Sequence, residues 1–134
     1  MNDRFRFRVW NNRDWDDECG QVYYDAEQTY DYLRGKPQVP ASSFGELLGD
    51  DQWIVEQCTG LKDKNGKLIY EGDLIKSPNN INVLEVLWEK GVWQTKEYRK
   101  NGMNEQFLYI LATKYGVEII GNIHENPELL KEEQ

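Results

Sequence analysis

The sequence predicts a mainly β fold, built as a small barrel or roll with an added β-rich N-terminal segment and a short C-terminal helix. Two observations predict it. The 20 Val, Ile and Thr residues and the 17 aromatic residues far outnumber the three alanines, and branched and aromatic side chains favour strands. Short strand patterns separated by tight-turn signals also fill the second half of the chain. We therefore divide the chain into residues 1–52, the acidic segment, and residues 53–134, the barrel part.

The N-terminal elements begin with a strict alternation of apolar side chains and arginines over residues 4–9. A period of two predicts a strand with one apolar face and one basic face, the latter made by Arg4, Arg6 and Arg8. Residues 22–24 are predicted to pair back as a second strand. Residues 25–52 are the hardest part to interpret, although within them Ser43 followed by Glu46 has the form of a capping box before a helix of one or two turns.

The second half carries clearer signals. Asn65-Gly66 supplies two residues that accept positive φ, which predicts a tight reversal. Asn126 before Pro127 predicts the start of a short C-terminal helix, because Asn caps helices and Pro suits their first position. The remaining patterns predict strands at residues 53–58, 74–76, 84–88, 107–112 and 117–123, with a turn at 89–91.

Charge and apolar content restrict the partners. The net charge is −8, and residues 1–59 hold 12 acidic against 6 basic side chains, so we expect duplex DNA to be repelled. The longest apolar run has six residues, 107–112, whereas a membrane-spanning helix needs about 20. We expect a soluble cytoplasmic protein with no membrane partner. Cys19 and Cys58 lack a metal-type spacing and are expected to be free thiols, with Cys58 in the core.

Three motifs carry a resemblance to a known family. Residues 59–75, Thr-Gly-Leu-Lys-Asp-Lys-Asn-Gly-Lys-Leu-Ile-Tyr-Glu-Gly-Asp-Leu-Ile, resemble the central signature of the YopX family. Residues 120–130, Ile-Gly-Asn-Ile-His-Glu-Asn-Pro-Glu-Leu-Leu, are similar to its closing motif, and residues 5–10 to its opening strand. The resemblance implies an uncharacterised protein of bacteriophages and prophages with an SH3-like barrel component, in the cytoplasm of a bacterial host. It implies no known activity.

An acidic stretch is the first candidate for chemistry. Clustered carboxylates suit hard cations, but Cys19 falls where an EF-hand loop needs its turn glycine. A solvated acidic face is the simpler interpretation, and mimicry of nucleic acid by an acidic surface is a third one. The stretch consists of Asp14, Asp16, Asp17, Glu18, Asp25, Glu27 and Asp31.

Other residues carry weaker signals. Arg4, Arg6 and Arg8 could grip phosphates, or could pair with carboxylates on a neighbouring strand. His124 is the single histidine and adjoins the predicted helix start, which favours a surface or capping role. Ser42 and Ser43 lack a nucleophile-elbow context, and Tyr70 and Asp73 are expected to bond to turn backbone. Backbone freedom alone explains the glycines at predicted turns, Gly60, Gly66, Gly72, Gly91 and Gly121.

These observations favour a non-enzymatic accessory protein that binds another protein of host or phage, without cofactor or metal and with no catalytic residue. The alternative is a nucleic-acid-binding small barrel that uses Arg4, Arg6 and Arg8. A carboxylate-based hydrolase is the third hypothesis. Ten of the 17 aromatic residues lie in residues 1–53, which also predicts self-association by edge pairing or exchange of the strand at residues 5–10.

Overall fold

A computed structural model describes residues 5–28, 30–31, 36–37, 43–78, 82–99 and 102–130. Eleven strands are present in this part of the chain: β1 Phe7–Asn11, β2 Val22–Tyr24, β3 Tyr30–Asp31, β4 Lys36–Pro37, β5 Trp53–Lys62, β6 Leu68–Tyr70, β7 Asp73–Lys76, β8 Leu84–Glu89, β9 Val92–Arg99, β10 Gly102–Phe107 and β11 Glu118–Asn122. The helical elements are α1 Phe44–Gly49, α2 Leu108–Ile110, a π-helical turn Leu111–Tyr115 and a 3₁₀ turn Pro127–Leu130. The predicted mainly β class with a short C-terminal helix is confirmed.

The chain divides into two compact units, residues 1–58 and residues 59–134. The division predicted from the sequence lies at residue 53 instead. The difference arises because the whole of β1 pairs with the first five residues of β5, from Asn11 opposite Trp53 to Phe7 opposite Gln57. The strand that was assigned to the barrel part therefore begins in the first unit.

The first unit centres on β1, which is antiparallel to β2 on one side and to β5 on the other. The predicted second strand at residues 22–24 is confirmed. The Ser43 half of the predicted capping box is present, because the Ser43 hydroxyl accepts the backbone N–H of Glu46 at 3.1 Å at the start of α1. An apolar cluster lies in this unit, made of buried Val9, Ala26, Leu47 and Trp53 with half-buried Phe7, Tyr23, Phe44 and Val55.

Several aromatic rings of the N-terminal half pack within their own unit. Phe7 and Phe44 have ring centroids 5.0 Å apart, and the Tyr23 and Trp53 centroids are 6.3 Å apart. Because β1 already has a partner on each side, exchange of this strand would break two sets of pairs. Self-association stays a prediction, and sedimentation equilibrium at about 100 μM, where weak interfaces still form, would test it.

The second unit holds a five-stranded antiparallel sheet in the order β10-β9-β8-β7-β11. Its core consists of Ile69, Ile75, Leu84, Val86, Leu108, Leu111 and Val117, all at most 2% exposed. Leu84 and Val86 alternate along β8, as the sequence pattern predicts for a strand with one buried face. This curled sheet around one apolar cluster is the barrel-like part of the fold.

One predicted strand is wrong. Residues 107–112 were predicted as a strand, but β10 ends at Phe107 and the chain continues as α2 and the π-helical turn. A continuous apolar run has no period that separates strand from helix. In the folded chain, Leu108 and Leu111 enter the core three residues apart, whereas Tyr109 and Ile110 stay exposed, which is helical spacing.

Two hairpin turns use glycine differently. Between β8 and β9, Lys90 and Gly91 have φ of 55° and 78°, so the two-residue turn with two positive φ values occurs there. At the predicted Asn65-Gly66 reversal only Gly66 has positive φ, of 83°. The prediction of a turn at residues 65–66 is confirmed, but its geometry is a different one, organised by Asp63.

Candidate functional site

The first unit contains a buried charged network on neighbouring strands. Arg8 and Glu56 are opposite each other in β1 and β5 and are 2% and 4% exposed. The Glu56 carboxylate accepts the Arg8 Nε–H and the Trp10 indole N–H on the same oxygen, each at 2.8 Å. The Arg8 guanidinium also lies 5.6 Å from the Trp10 ring centre. Arg8 therefore belongs to the interior rather than to an exposed basic face.

The predicted basic face contains two further arginines, Arg6 and Arg4. Arg6 lies 3.9 Å from Asp25 with both side chains partly exposed, which is a weak surface ion pair. Arg4 lies outside the described residues. The interpretation that these arginines pair with neighbouring carboxylates is confirmed for two of them. Arg6 pairs with Asp25, and Arg8 pairs with Glu56. Glu56 was not predictable as the partner of Arg8 from the sequence, because the two residues are 48 positions apart.

The acidic stretch is distributed among separate local contacts. Asp16 bonds to the Glu18 N–H at 2.9 Å and to the Asn11 side chain at 3.2 Å, and it pairs with Arg13 at 2.5 Å. The backbone bond from Glu18 is the main reason that the pKa of the Asp16 carboxyl lies below its usual value. Glu27 accepts the Phe7 N–H at 2.8 Å. The side chain of Asp31 lies outside the described part of the chain.

Tyr23 and Arg13 connect the acidic stretch to aromatic rings. The Tyr23 hydroxyl donates to Glu18 at 2.7 Å. Burial raises the pKa of Tyr23 to about 12, and the bond to Glu18 adds to this effect. The Arg13 guanidinium lies 4.3 Å from the Trp53 ring centre and 5.1 Å from that of Trp15. Across the described residues, no three His, Cys, Asp or Glu side chains converge on a point where a metal ion could be held.

Asp63 is the organising residue of the β5–β6 turn. Its Oδ1 accepts the N–H groups of Asn65 and Lys67 at 2.9 Å each, and its Oδ2 accepts the N–H of Ile119 at 3.1 Å. Burial alone would raise the pKa of the Asp63 carboxyl, but these backbone donors outweigh it and hold the pKa below its usual value. This role of Asp63 was not predictable from the sequence, because Ile119 is 56 residues away.

The closing motif is a second turn built by side-chain amides. The Asn122 Oδ1 accepts the backbone N–H groups of His124 and Glu125 at 3.0 and 2.8 Å. The prediction that the Asn126 side chain caps the C-terminal helical turn is wrong. The Oδ1 of Asn126 accepts the Asn122 N–H at 3.2 Å, whereas its backbone carbonyl accepts the Leu129 N–H of the 3₁₀ turn. The structure places His124 half-buried within this turn.

This turn requires Gly121 for space. The prediction that backbone freedom alone explains this glycine is wrong, because its φ is not positive. A Cβ atom at position 121 would come within 2.8 Å of Asn126 Cγ. We expect Gly121→Ala to lower the free energy of unfolding by about 1–3 kcal/mol, because overpacking would displace the Asn126 side chain, whose Oδ1 accepts the Asn122 N–H. Urea denaturation measures the loss. Gly49→Ala is the matched control, as a Cβ there meets no atom within 4 Å, and an equal effect of both substitutions would contradict this reading of the turn.

The other candidate residues have structural partners. Gly60, Gly66, Gly72 and Gly91 have positive φ, so backbone freedom explains them as predicted. The Asp73 carboxylate accepts the Tyr70 N–H at 2.8 Å, which confirms its predicted bond to turn backbone. Ser43 caps α1, and Ser42 lies outside the described residues.

The two cysteines are free, Cys19 exposed and Cys58 buried. We expect Cys19 to react with a thiol reagent in the native protein, and Cys58 to react only after unfolding, because a buried thiol is inaccessible. Counting labelled thiols by mass spectrometry, before and after denaturation without reductant, measures both. Reaction of neither thiol until a reductant is added would contradict the expectation of a reduced protein.

An exposed apolar segment at residues 107–115 is the most conspicuous surface of the second unit. While Leu108 and Leu111 anchor the segment in the core, four large apolar side chains of the same segment stay open to solvent. These are Phe107 at 54%, Tyr109 at 64%, Ile110 at 47% and Tyr115 at 43% exposed. The Thr113 hydroxyl closes the helical turn by donating to the Tyr109 carbonyl at 2.6 Å. The segment therefore holds its outward side chains on a fixed backbone.

A groove continues from this segment along the neighbouring strands. It has a volume of about 450 Å³ and is lined by Phe107 with Val92, Gln94, Glu105, Gln106 and Lys90. Gln94 is buried and donates to the Glu89 carbonyl at 3.1 Å, so this part of the groove lining is held in place.

No helix in the described part of the chain is long and apolar enough to cross a membrane.

A sequence model of the YopX protein family matches residues 6–131. The chain belongs to the YopX family. No curated protein matches it at a significant level. This YopX-family chain is similar in structure to protein EF1440 from Enterococcus faecalis, known from a crystal structure. The TM-score is 0.59 at 22% sequence identity, over 94% of this chain and 97% of the other. At that identity the likeness concerns the fold.

Proposed function

We propose that this YopX-family chain is a non-enzymatic accessory protein of bacteriophages or prophages, which acts in the host cytoplasm by binding another protein. The observation that carries the proposal is the exposed apolar segment at residues 107–115. Its four open apolar side chains lie between the end of β10 and the end of the π-helical turn, and Phe107 among them lines the groove. Large exposed apolar patches on small proteins mark interaction surfaces.

The composition of this surface supports a protein partner. Interface centres are rich in aromatic residues and poor in charge, and a few such anchors supply most of the affinity. Phe107, Tyr109 and Tyr115 are aromatic, and Ile110 extends the apolar area between them. Glu105 and Lys90 at the groove give the polar rim that such interfaces have.

Two observations count against the nucleic-acid alternative. The basic face needed Arg4, Arg6 and Arg8 in contact with phosphates, yet Arg8 is buried against Glu56 and Arg6 lies beside Asp25. The chain also carries a net charge of −8. We expect no binding to duplex DNA at low micromolar protein and near-physiological salt, which a gel-shift titration would show.

The hydrolase hypothesis requires a carboxyl whose pKa is raised within a cleft. The carboxyls of Asp16 and Asp63 have lowered pKa values, and both accept N–H groups of turn backbone. Stabilised carboxylates of this kind are poor proton donors, which supports a structural rather than a catalytic role for them.

Affinity capture from phage-infected host cells, with and without nuclease treatment, tests the proposal. We expect a protein partner that is retained after nuclease treatment. Tyr109→Ser combined with Ile110→Ser should weaken its capture by about tenfold or more, the loss typical of an interface anchor. Trp15→Ser is the matched control, because Trp15 is 68% exposed but lies in the other unit.

Two results would overturn the proposal. One is a partner that disappears on nuclease treatment, which would indicate nucleic acid. The other is a partner that the Tyr109→Ser, Ile110→Ser variant retains as well as the control does. Circular dichroism of both variants checks that the fold is unchanged, which is expected because the substituted side chains are exposed.

A further inference from the structure

A second concave surface of the 59–134 unit shares only Tyr115 with the residues invoked for protein binding. It is a pocket of about 290 Å³ beside the pairing of β7 with β11, where Lys76 is opposite Glu118. Lys64 enters from the β5–β6 turn, which is fastened there because the Lys64 N–H donates to the Val117 carbonyl at 2.8 Å. Three separate chain segments thus fix the position of the pocket.

The charge of the pocket is positive although the chain is acidic. Lys64 Nζ lies 3.5 Å from Glu118 Oε1, and Lys76 forms no ion pair with any of the described residues. The lining therefore holds two ammonium groups against one carboxylate. Both members of the Lys64–Glu118 pair are about half exposed, so the pair is weak and can yield to a ligand.

The remaining wall of the pocket is apolar and partly aromatic. Tyr115 lines it with 43% of its surface exposed, together with Pro78 and Val117. The Lys114 ammonium lies 5.4 Å from the Tyr115 ring centre and adds positive charge nearby. The volume is at the small end of ligand pockets, which start near ~300 Å³. A ligand that fits has an anionic group and one flat ring.

We propose that this pocket binds a small phosphate monoester that carries a flat ring, which is the chemistry of a mononucleotide. The phosphate lies between Lys64 and Lys76, where ammonium groups form charge-assisted hydrogen bonds with its oxygens. The ring packs against Tyr115, as bases do on aromatic side chains. The ligand is either a free nucleotide or the terminal nucleotide of a single strand.

Amide NMR titration of the full chain with AMP tests this proposal, with inorganic phosphate and adenosine as partial ligands. We expect saturable shifts at Lys64, Gly116 and Glu118 with AMP, weaker ones with phosphate, and weaker ones still with adenosine. Lys76→Gln should weaken AMP binding about tenfold, the loss of one charged hydrogen bond. Glu118→Gln should strengthen it, since it removes the carboxylate that repels phosphate.

Lys62→Gln is the control, because Lys62 is exposed and outside the pocket lining. Equal effects of Lys62→Gln and Lys76→Gln would overturn the proposal, as would adenosine binding as tightly as AMP. Absence of shifts with AMP at about 10 mM, beyond the millimolar range of weak affinities, would also overturn it. Tighter binding of 5′-phosphorylated pentathymidylate than of AMP supports a strand end as the source, and the reverse order supports a free nucleotide.

Discussion

Replacement of Glu56 by alanine is expected to lower the free energy of unfolding by about 3–5 kcal/mol. Removal of one partner from a buried ion pair leaves the other charge without compensation. Arg8 would stay 2% exposed without the carboxylate that now accepts its Nε–H, and the Trp10 indole N–H would lose the same acceptor. Urea denaturation monitored by tryptophan fluorescence measures the loss.

A comparison of variants separates the ion pair from other effects. Replacing both partners, Arg8→Met with Glu56→Leu, should recover much of the stability, because an apolar pair can substitute for a buried ion pair. Arg6→Met is the surface control and should cost under about 1 kcal/mol, since Arg6 and Asp25 are partly exposed and 3.9 Å apart. A loss for Glu56→Ala no greater than that of Arg6→Met would contradict the buried network.

Asp63→Asn is expected to lower the free energy of unfolding by about 2–4 kcal/mol. The carboxylate of Asp63 accepts three backbone N–H groups, whereas an asparagine amide has one oxygen and presents N–H groups on its other side. At least one backbone donor would lose its acceptor, at about 1–3 kcal/mol each. Asp50→Asn is the control, because the Asp50 carboxylate accepts one backbone N–H, that of Gln52, at a more exposed turn.

The effect of Asp63 also depends on pH. Its pKa is lowered in the folded protein, so the carboxylate contributes stability above its unfolded pKa of about 3.9. That contribution is lost as the pH falls through the lower, folded pKa. The difference between wild type and Asp63→Asn should therefore shrink when urea denaturation is repeated near pH 3 instead of pH 7. The pKa of Asp16 is lowered too, but Asp16 is present in both proteins, so its contribution to the pH dependence cancels in the difference. An unchanged difference at the two pH values would contradict this role.

Short-range features of the fold were predictable from the sequence. Ser43 and Glu46 are three residues apart, and the β1–β2 pairing and the turn at residues 65–66 each depend on residues close along the chain. Local chemistry is enough to specify such elements. The prediction of a strand at residues 107–112 was wrong because it depends on distant residues. Packing against the core determines which side chains of this run are buried.

Long-range partners were not predictable. Alternation along residues 4–9 indicated a basic strand face, but that pattern does not reveal that Glu56 lies opposite Arg8 in β5. The bond from Ile119 to Asp63 likewise depends on how two distant segments meet. The exposed apolar segment was missed because an apolar run is normally buried, and here only Leu108 and Leu111, three residues apart, reach the core as large side chains.

Amide hydrogen exchange of the chain alone and with its captured protein partner tests the central claim most directly. Binding of the partner is expected to slow amide exchange across the exposed apolar segment at residues 107–115 and at Val92 and Gln94 in the groove. Protection confined to the 1–58 unit, with residues 107–115 exchanging at the same rate in both samples, would contradict it.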